Sequence, residues 1–320
     1  MQSERGGALG KTGAAQARDV TVLLATRNGA RHLAAQLNSI ATQADWGRID
    51  LIASDDGSSD ATLTLLAEAA AKWRRGRFEV VTGPGRGFAE NFRSLLQRAV
   101  ATPFVAFSDQ DDIWLPSKLS VSAAALGTAT SPALYCGRTL LVSAEDREIG
   151  HSPLFTRPVG FANALVQSIA GANTMVLNRA GFELVSQAAT RSGFVSHDWL
   201  CYQIVSGAGG RVIYDPVPQV RYRQHGENLV GANTGWRARL DRLRQAWGGR
   251  FVDWNDRNVA TLRQVEELLT PEARGRLAAF DAARHGALQH RLRTLGQSGV
   301  YRQTLGGQIS LWAAAVLGKL

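Results

Sequence analysis

Three carboxylates stand within four residues in Ser108-Asp109-Gln110-Asp111-Asp112, flanked by Val105, Phe107, Ile113 and Trp114. Apolar neighbours of that kind pack the acidic turn into the body, where like charges repel and burial penalises each of them. A hard divalent cation with oxygen ligands is the natural counter-ion, and Mg²⁺ shares one or two such carboxylates with substrate phosphates. An acidic surface turn is the plainer alternative, but it leaves the apolar flanks unexplained. Two other loops, Thr26-Arg27-Asn28-Gly29 and Ser54-Asp55-Asp56-Gly57-Ser58-Ser59-Asp60, offer acceptors and donors suited to a nucleotide base and ribose. For Ser58 and Asp60, helix capping competes on equal terms. Gly83-Pro84-Gly85-Arg86-Gly87 is not a dinucleotide fingerprint, since its last glycine would fall at Phe88; it reads as a tight turn that brings Arg86 or Asn91 to the same place. Gly10-Lys11-Thr12 is no phosphate loop either, because Arg5 stands where that motif needs glycine.

Each of these loops follows a strand signal. Apolar β-rich runs at 20–24, 49–53, 78–81 and 104–107 lead into them, and helical periodicity returns after each of the first three: Leu33, Leu37 and Ile40, then 61–73, then 89–100. Strand, loop and helix in repetition predict an α/β domain with a mostly parallel sheet, whose ligands bind where the strands' carboxyl ends converge. Further on, 133–142 and 212–215 read as strands, 169–177 as an apolar run broken by Gly171-Ala172-Asn173-Thr174, and 180–189 and 200–206 as helices. The Gly171-Ala172-Asn173-Thr174 break is read as lining an acceptor side or as core packing.

Hydrophobic content of 45% and charged content of 20% exclude a wholly disordered or fibrous chain. Two cysteines, Cys136 and Cys201, exclude a disulfide-stapled scaffold and suit a reducing compartment. Residues 1–18 carry little that is bulky and apolar, so they are expected to be disordered and to contain no signal peptide, which points to a cytoplasmic protein.

The ordered set Ala25-Thr26-Arg27-Asn28-Gly29, Ser54 to Asp60, Gly87-Phe88-Ala89-Glu90-Asn91-Phe92, Ser108 to Trp114, His197-Asp198-Trp199 and Tyr222-Arg223-Gln224-His225-Gly226 resembles the family 2 glycosyltransferases of the GT-A fold. Within that family it is most similar to bacterial rhamnosyltransferases of O-antigen and cell-wall polysaccharide assembly. The resemblance implies a GT-A nucleotide-diphospho-sugar transferase fold over 19–231 and a helical, basic C-terminal extension over 232–320. It implies an inverting transfer of a sugar, rhamnose foremost, from a dTDP- or UDP-sugar donor to a lipid-linked saccharide acceptor. Thr26, Asn28, Asp55, Asp56, Arg86, Asn91 and Asp109 would then line the donor, and Asp109, Asp111 and His225 would hold Mg²⁺ or Mn²⁺. Asp198 would be the general base. Relatives have Glu-Asp where this chain has His197-Asp198, which leaves the role of His197 open.

The net charge of +9 remains to be placed. Trp236, Leu240, Leu243 and Trp247 recur at helical spacing among Arg237, Arg239, Arg242 and Arg244, and 309–318 is apolar but too short to span a bilayer. Basic amphipathic helices with tryptophan favour anionic membranes, so peripheral contact with the inner face of the cytoplasmic membrane is expected. Nucleic acid is not an expected partner, because the loops that would meet it are acidic. A sugar-nucleotide nucleotidyltransferase is the other α/β alternative, disfavoured because Thr26-Arg27-Asn28-Gly29 replaces the glycine-rich, basic first loop of such enzymes.

Overall fold

A computed structural model describes residues 18–224 and 251–320. Its centre is a seven-stranded sheet. Three β/α steps and a fourth strand build one half: β1 (Val20–Thr26), α1 (Ala30–Ala41), β2 (Ile49–Asp55), α2 (Thr62–Lys72), β3 (Phe78–Thr82), α3 (Phe88–Leu96) and β4 (Phe104–Ser108). After β5 (Ile113–Trp114) and α4 (Lys118–Leu126) come β6 (Ala133–Gly137), β7 (Leu140–Val142), β8 (Glu148–His151) and α5 (Phe161–Ala164). A 3-10 turn at Ala172–Thr174 leads into β9 (Val176–Asn178), α6 (Arg179–Arg191), α7 (His197–Gly207), β10 (Arg211–Asp215) and β11 (Val220–Arg223).

The sheet order is β10-β6-β9-β4-β1-β2-β3, and every pairing is parallel except those of β9 with β4 and β6. The chain winds outward from β1 through β2 to β3, then returns to lay β4 on the other side of β1. The switch point therefore falls between β1 and β4, where an open α/β sheet leaves a crevice for ligand. Both faces of the central strands are covered. Leu23, Val105, Phe107 and Leu177 point into one core with α3, α6 and α7, whereas Val22, Leu24, Ala106 and Val176 point into the other. Burial on both faces explains why these strands are near-continuous apolar runs without alternation.

A second sheet, β5-β11-β7-β8, lies beside the first. The apolar run at 133–142 is thus two strands in two sheets, parted at Gly137. A Cβ there would lie 3.2 Å from the Asp215 carbonyl oxygen. β5, β8 and β11 are too short or too polar to announce themselves by periodicity, and partners remote in sequence make them strands.

Beyond the central sheet are α8 (Phe251–Gln264), α9 (Pro271–Ala283), α10 (Leu288–Ser298) and α11 (Leu305–Leu317). Thr270 caps α9 by accepting from Ala273 N with Pro271 at the first helical position, and Thr304 caps α11 by accepting from Gly307 N. Leu262, Leu277, Phe280, Leu295 and Leu311 from these helices join the same buried cluster as Phe92 and Phe107. Cys136 and Cys201 are buried and unpaired. Residues 1–17, and with them most of the expected disordered lead-in, lie outside the described residues, as does the 236–247 stretch.

Candidate active site

Parallel register aligns the strand ends before any loop begins. Thr26 at the end of β1 is paired with Asp55 at the end of β2, and Ser108 at the end of β4 lies opposite Leu24. Thr26 Oγ1 donates to Asp55 Oδ2 at 2.9 Å. The same carboxylate accepts from Ser58 N at 2.9 Å and Ser58 Oγ at 2.6 Å, so Asp55 closes its own loop. Asp56 reaches the next loop, where Oδ1 accepts from Gly85 N at 2.6 Å and Oδ2 from Gly87 N at 2.7 Å. Gly85 and Gly87 have φ of 68° and 90°, a conformation glycine adopts without strain, which is why this turn is glycine-rich.

Asn28 has φ of 49°, and its Oδ1 accepts from Ser59 N at 2.8 Å, tying the first loop to the second. Asp60 and Thr62 serve the start of α1: Gly29 N donates to Thr62 Oγ1 at 2.8 Å and Ala30 N to Asp60 Oδ2 at 3.1 Å. Asp60 also accepts from Thr62 itself, so capping accounts for its bonds. Asn91 is buried on α3, its Oδ1 accepting from Ser54 Oγ at 2.5 Å and its Nδ2 donating to Ser54 O at 2.9 Å. It sits at the joint of α3 and β2, one layer behind the loop. Arg86 lies out on the rim, paired with Glu90 at 3.3 Å.

The acidic turn after β4 crosses the switch point. Gln110 makes two bonds to one residue of the first loop, accepting from Arg27 N at 2.8 Å and donating to Arg27 O at 2.9 Å. Its three carboxylates have different surroundings. Asp112 is fully buried, accepting from the Asn173 side-chain amide and from Arg223 N at 3.1 Å, so it joins the turn to the 3-10 segment and to β11. Asn173 therefore belongs to the packing that holds the turn. Asp109 is half-buried, and its pKa is pushed up to about 7 by burial first, then by repulsion from Asp111 and Asp198. Asp111 is half-buried beside it.

Asp198 stands in the first turn of α7 and accepts from Ser168 Oγ at 3.2 Å. Burial raises its pKa, opposed by hydrogen bonds from Ser196, Trp199 and Ser168. Its repulsion at Asp109 means that the two acids, from opposite halves of the sheet, share one cleft. Tyr222 on β11 faces that cleft: burial raises its phenol's pKa, and the charges of Asp112, Asp109, Asp111 and Asp198 add to the effect.

His197 is buried, with its ring stacked on Phe92 at 3.6 Å between centroids and 17° between planes, and edge-on to Phe107 at 5.3 Å. Neither ring nitrogen has a hydrogen-bond partner among the described residues. The imidazole is a neutral core aromatic, which answers the question that the departure from Glu-Asp raised. Gln110, Ser168 and Tyr222 were not singled out from sequence as site residues. Gln110 lay inside the acidic motif, but a bond to a residue 83 positions away leaves no local signal.

The chemistry of the donor set suits a hard divalent ion. Asp112 is engaged by Asn173 and Arg223, while Asp109 and Asp111 are the half-buried carboxylates of the turn; burial and the like charges of Asp111 and Asp198 suppress the acidity of Asp109, and a cation would relieve both effects. Among the described residues no group of three or more His, Cys, Asp or Glu is arranged to hold a metal. Two carboxylates complemented by substrate phosphates are the usual arrangement for Mg²⁺. His225, the third expected ligand, lies outside the described residues.

Comparison with known proteins bears on this arrangement. The model of the family described as "Glycosyl transferase family 2" matches residues 21–179, which contain the first four loops. The dTDP-rhamnosyl transferase RfbG of Shigella flexneri is 26% identical over 232 residues, 69% of this chain and 78% of that protein. Among solved structures, S. aureus TarS (residues 1–349) in complex with UDP superposes with a TM-score of 0.51 at 14% identity, covering 88% of this chain and 90% of that one. The mannosyltransferase PcManGT from Pyrobaculum calidifontis, in complex with GDP-Man and Mn²⁺, gives 0.50 at 18% identity, covering 94% and 85%. At such identities the likeness is one of fold.

Proposed function

Because this chain belongs to glycosyl transferase family 2 and is a glycosyltransferase of the GT-A fold, we propose that it transfers rhamnose, with inversion, from a dTDP-sugar to a hydroxyl of a lipid-linked saccharide. The single observation that best supports this reading is the meeting of Asp109, Asp111 and Asp198 at the switch point of the sheet. RfbG is named for dTDP-rhamnose, whereas the structures similar in fold hold UDP or GDP-Man, and the sugar named here follows the relative in sequence.

In this reading the loops after β1 and β2 receive the base and ribose. Thr26, Asp55 and Asn28 act chiefly by holding those loops in one shape, and Asp56 and Asn91 hold the glycine turn and α3. Arg86 on the rim is free to swing toward the donor's charge, its pairing with Glu90 being an exposed one. Asp109 and Asp111, joined by His225, would hold Mg²⁺ or Mn²⁺, which when bound offsets charge on the departing diphosphate. Asp198 takes the proton from the acceptor hydroxyl as that oxygen attacks the anomeric carbon from the face opposite the diphosphate. One displacement leaves the anomeric configuration inverted. Ser168 orients the base, and the raised pKa of Asp198 brings its basicity closer to neutral pH. A lipid-linked acceptor puts the reaction at the inner face of the cytoplasmic membrane. Among the described residues no helix is long and apolar enough to cross a membrane.

A thermal-shift screen of dTDP, UDP and GDP, each with and without Mg²⁺ or Mn²⁺, tests the donor side. A ligand selective for the native state raises the melting temperature, and dTDP with metal should give the largest rise. Indifference to every nucleotide would sink the proposal.

A further inference from the structure

The C-terminal helix α11 presents Leu305, Ile309, Trp312, Val316 and Leu317 to solvent at 79%, 61%, 40%, 47% and 52% exposure. The spacing of four, three and four residues places Leu305, Ile309, Trp312 and Val316 along one side of the helix, with Leu317 about 100° further round. The opposite side is anchored, with Leu311 and Ala315 buried in the core. A large apolar stripe on an otherwise well-packed surface marks a contact with something else.

Charge identifies the partner. No Asp or Glu follows Asp281, whereas Arg284, Arg291, Arg293, Arg302 and Lys319 all do. Arg284 pairs with Asp256 and Asp281, Arg293 is exposed, and Arg291 Nη2 donates to Val316 O at 2.9 Å, which puts that cation beside the stripe's C-terminal end. An apolar stripe containing tryptophan, with Arg291 at its end and on a segment whose own charged side chains are all cationic, complements an anionic lipid surface.

Position adds a reason. The segment leading into α11 is bonded to the wall of the cleft: Asn163 Nδ2 donates to Tyr301 O at 2.9 Å, Arg302 Nη2 to Val166 O at 3.0 Å, and Gln303 N to Gln167 Oε1 at 3.0 Å. The next residue, Ser168, donates to Asp198. We infer that α11 lies in the headgroup layer of an anionic bilayer through this stripe and so holds the acceptor side of the cleft toward the membrane. The benefit to catalysis rests on the lipid-linked acceptor proposed above; the docking face does not.

Co-sedimentation of the full chain with phosphatidylcholine vesicles, with and without about one third phosphatidylglycerol, tests this inference without donor or acceptor present. The wild type should bind the anionic vesicles, bind neutral ones weakly, and release as salt rises. The triple variant I309Q/W312Q/V316Q changes only exposed side chains, and its binding should fall by about tenfold or more. Circular dichroism and a nucleotide thermal shift matching the wild type would establish that the variant is folded. Wild-type indifference to anionic vesicles would overturn the inference, as would undiminished binding by the variant. So would a wild-type dimer in sedimentation velocity that the triple variant dissolves, since the stripe would then join two copies. A missing response to every nucleotide would count against the donor reading and leave the vesicle result standing.

Discussion

His197 lies flat on Phe92, with 3.6 Å between ring centroids, immediately before the acid that the cleft presents on α7. Burial lowers the imidazole's pKa to about 3 from 6.5. The unfolded chain therefore binds the proton more tightly. The stability that depends on a neutral His197 is complete above pH 6.5 and is lost as pH falls toward 3, at about 1.4 kcal/mol per pH unit. Between pH 6.5 and 5 that loss is about 2 kcal/mol. His197→Phe should retain transfer activity and lack this increment, as read from urea melts of the two proteins at both pH values. Parallel losses in wild type and variant would mean that His197 is solvated or paired.

Asp198→Asn should lower kcat by about 10²–10⁴, the usual range for a lost general base, with nucleotide affinity changed less than about twofold. The amide oxygen can still accept from Ser168 Oγ, so the first turn of α7 should stand. Because the pKa of Asp198 is raised, the wild-type rate should climb with pH through a value above the ordinary carboxylate range. Initial rates in the variant equal to wild type would remove Asp198 from the chemistry.

Metal removal gives a separate test. Chelation should abolish transfer, and excess Mg²⁺ or Mn²⁺ should restore it. In the proposed site a metal would bind Asp109 in its ionised form, and burial with the charges of Asp111 and Asp198 pushes the pKa of Asp109 up to about 7. Metal affinity should therefore fall by about tenfold for each pH unit below 7 and level off above it. Calorimetric titration with dTDP present would measure this, and Asp109→Asn should lose most of the affinity together with its pH dependence. A flat affinity across that range would contradict the role given to Asp109.

Gly29 and Gln110 test whether the first and fourth loops act as one unit. A Cβ at Gly29 would fall on the Gln110 side-chain amide, which is held by its two bonds to Arg27. Gly29→Ala should cost about 1–3 kcal/mol in stability by displacing that amide. Adding Gln110→Ala should cost less in the Gly29→Ala background than in wild type, with a coupling of about 0.5–3 kcal/mol in denaturant melts. Strict additivity would mean that the loops are independent.

Much of this architecture is legible along the chain. Of the four strands before the acidic turn, β1, β2 and β4 are buried on both faces while β3 is the half-exposed edge; the apolar runs end abruptly where the cleft begins, and Asp, Asn, Gly and Ser follow them. That is why the α/β class, the loop cluster and the acids Asp109 and Asp111 can be read from sequence, whereas Asp198, at the start of α7, is marked only by the family resemblance. The stretch 133–142 shows the limit: Gly137-Arg138-Thr139 is only a brief polar interruption in an apolar run, yet there the chain leaves one sheet for another.

Local sequence determined which residue types gather at the strand ends, because burial and turn chemistry act between near neighbours. Tertiary structure decided what each of them does. The same residue type closes a loop at Asp55, pins two glycine N–H groups at Asp56, anchors β11 at Asp112 and stands among like charges at Asp109. A histidine beside the acid of α7 is a packing residue because Phe92 and Phe107, about a hundred positions earlier, enclose it. A carboxylate's role depends on which donors and charges surround it, and these are brought from distant parts of the chain only when the sheet forms.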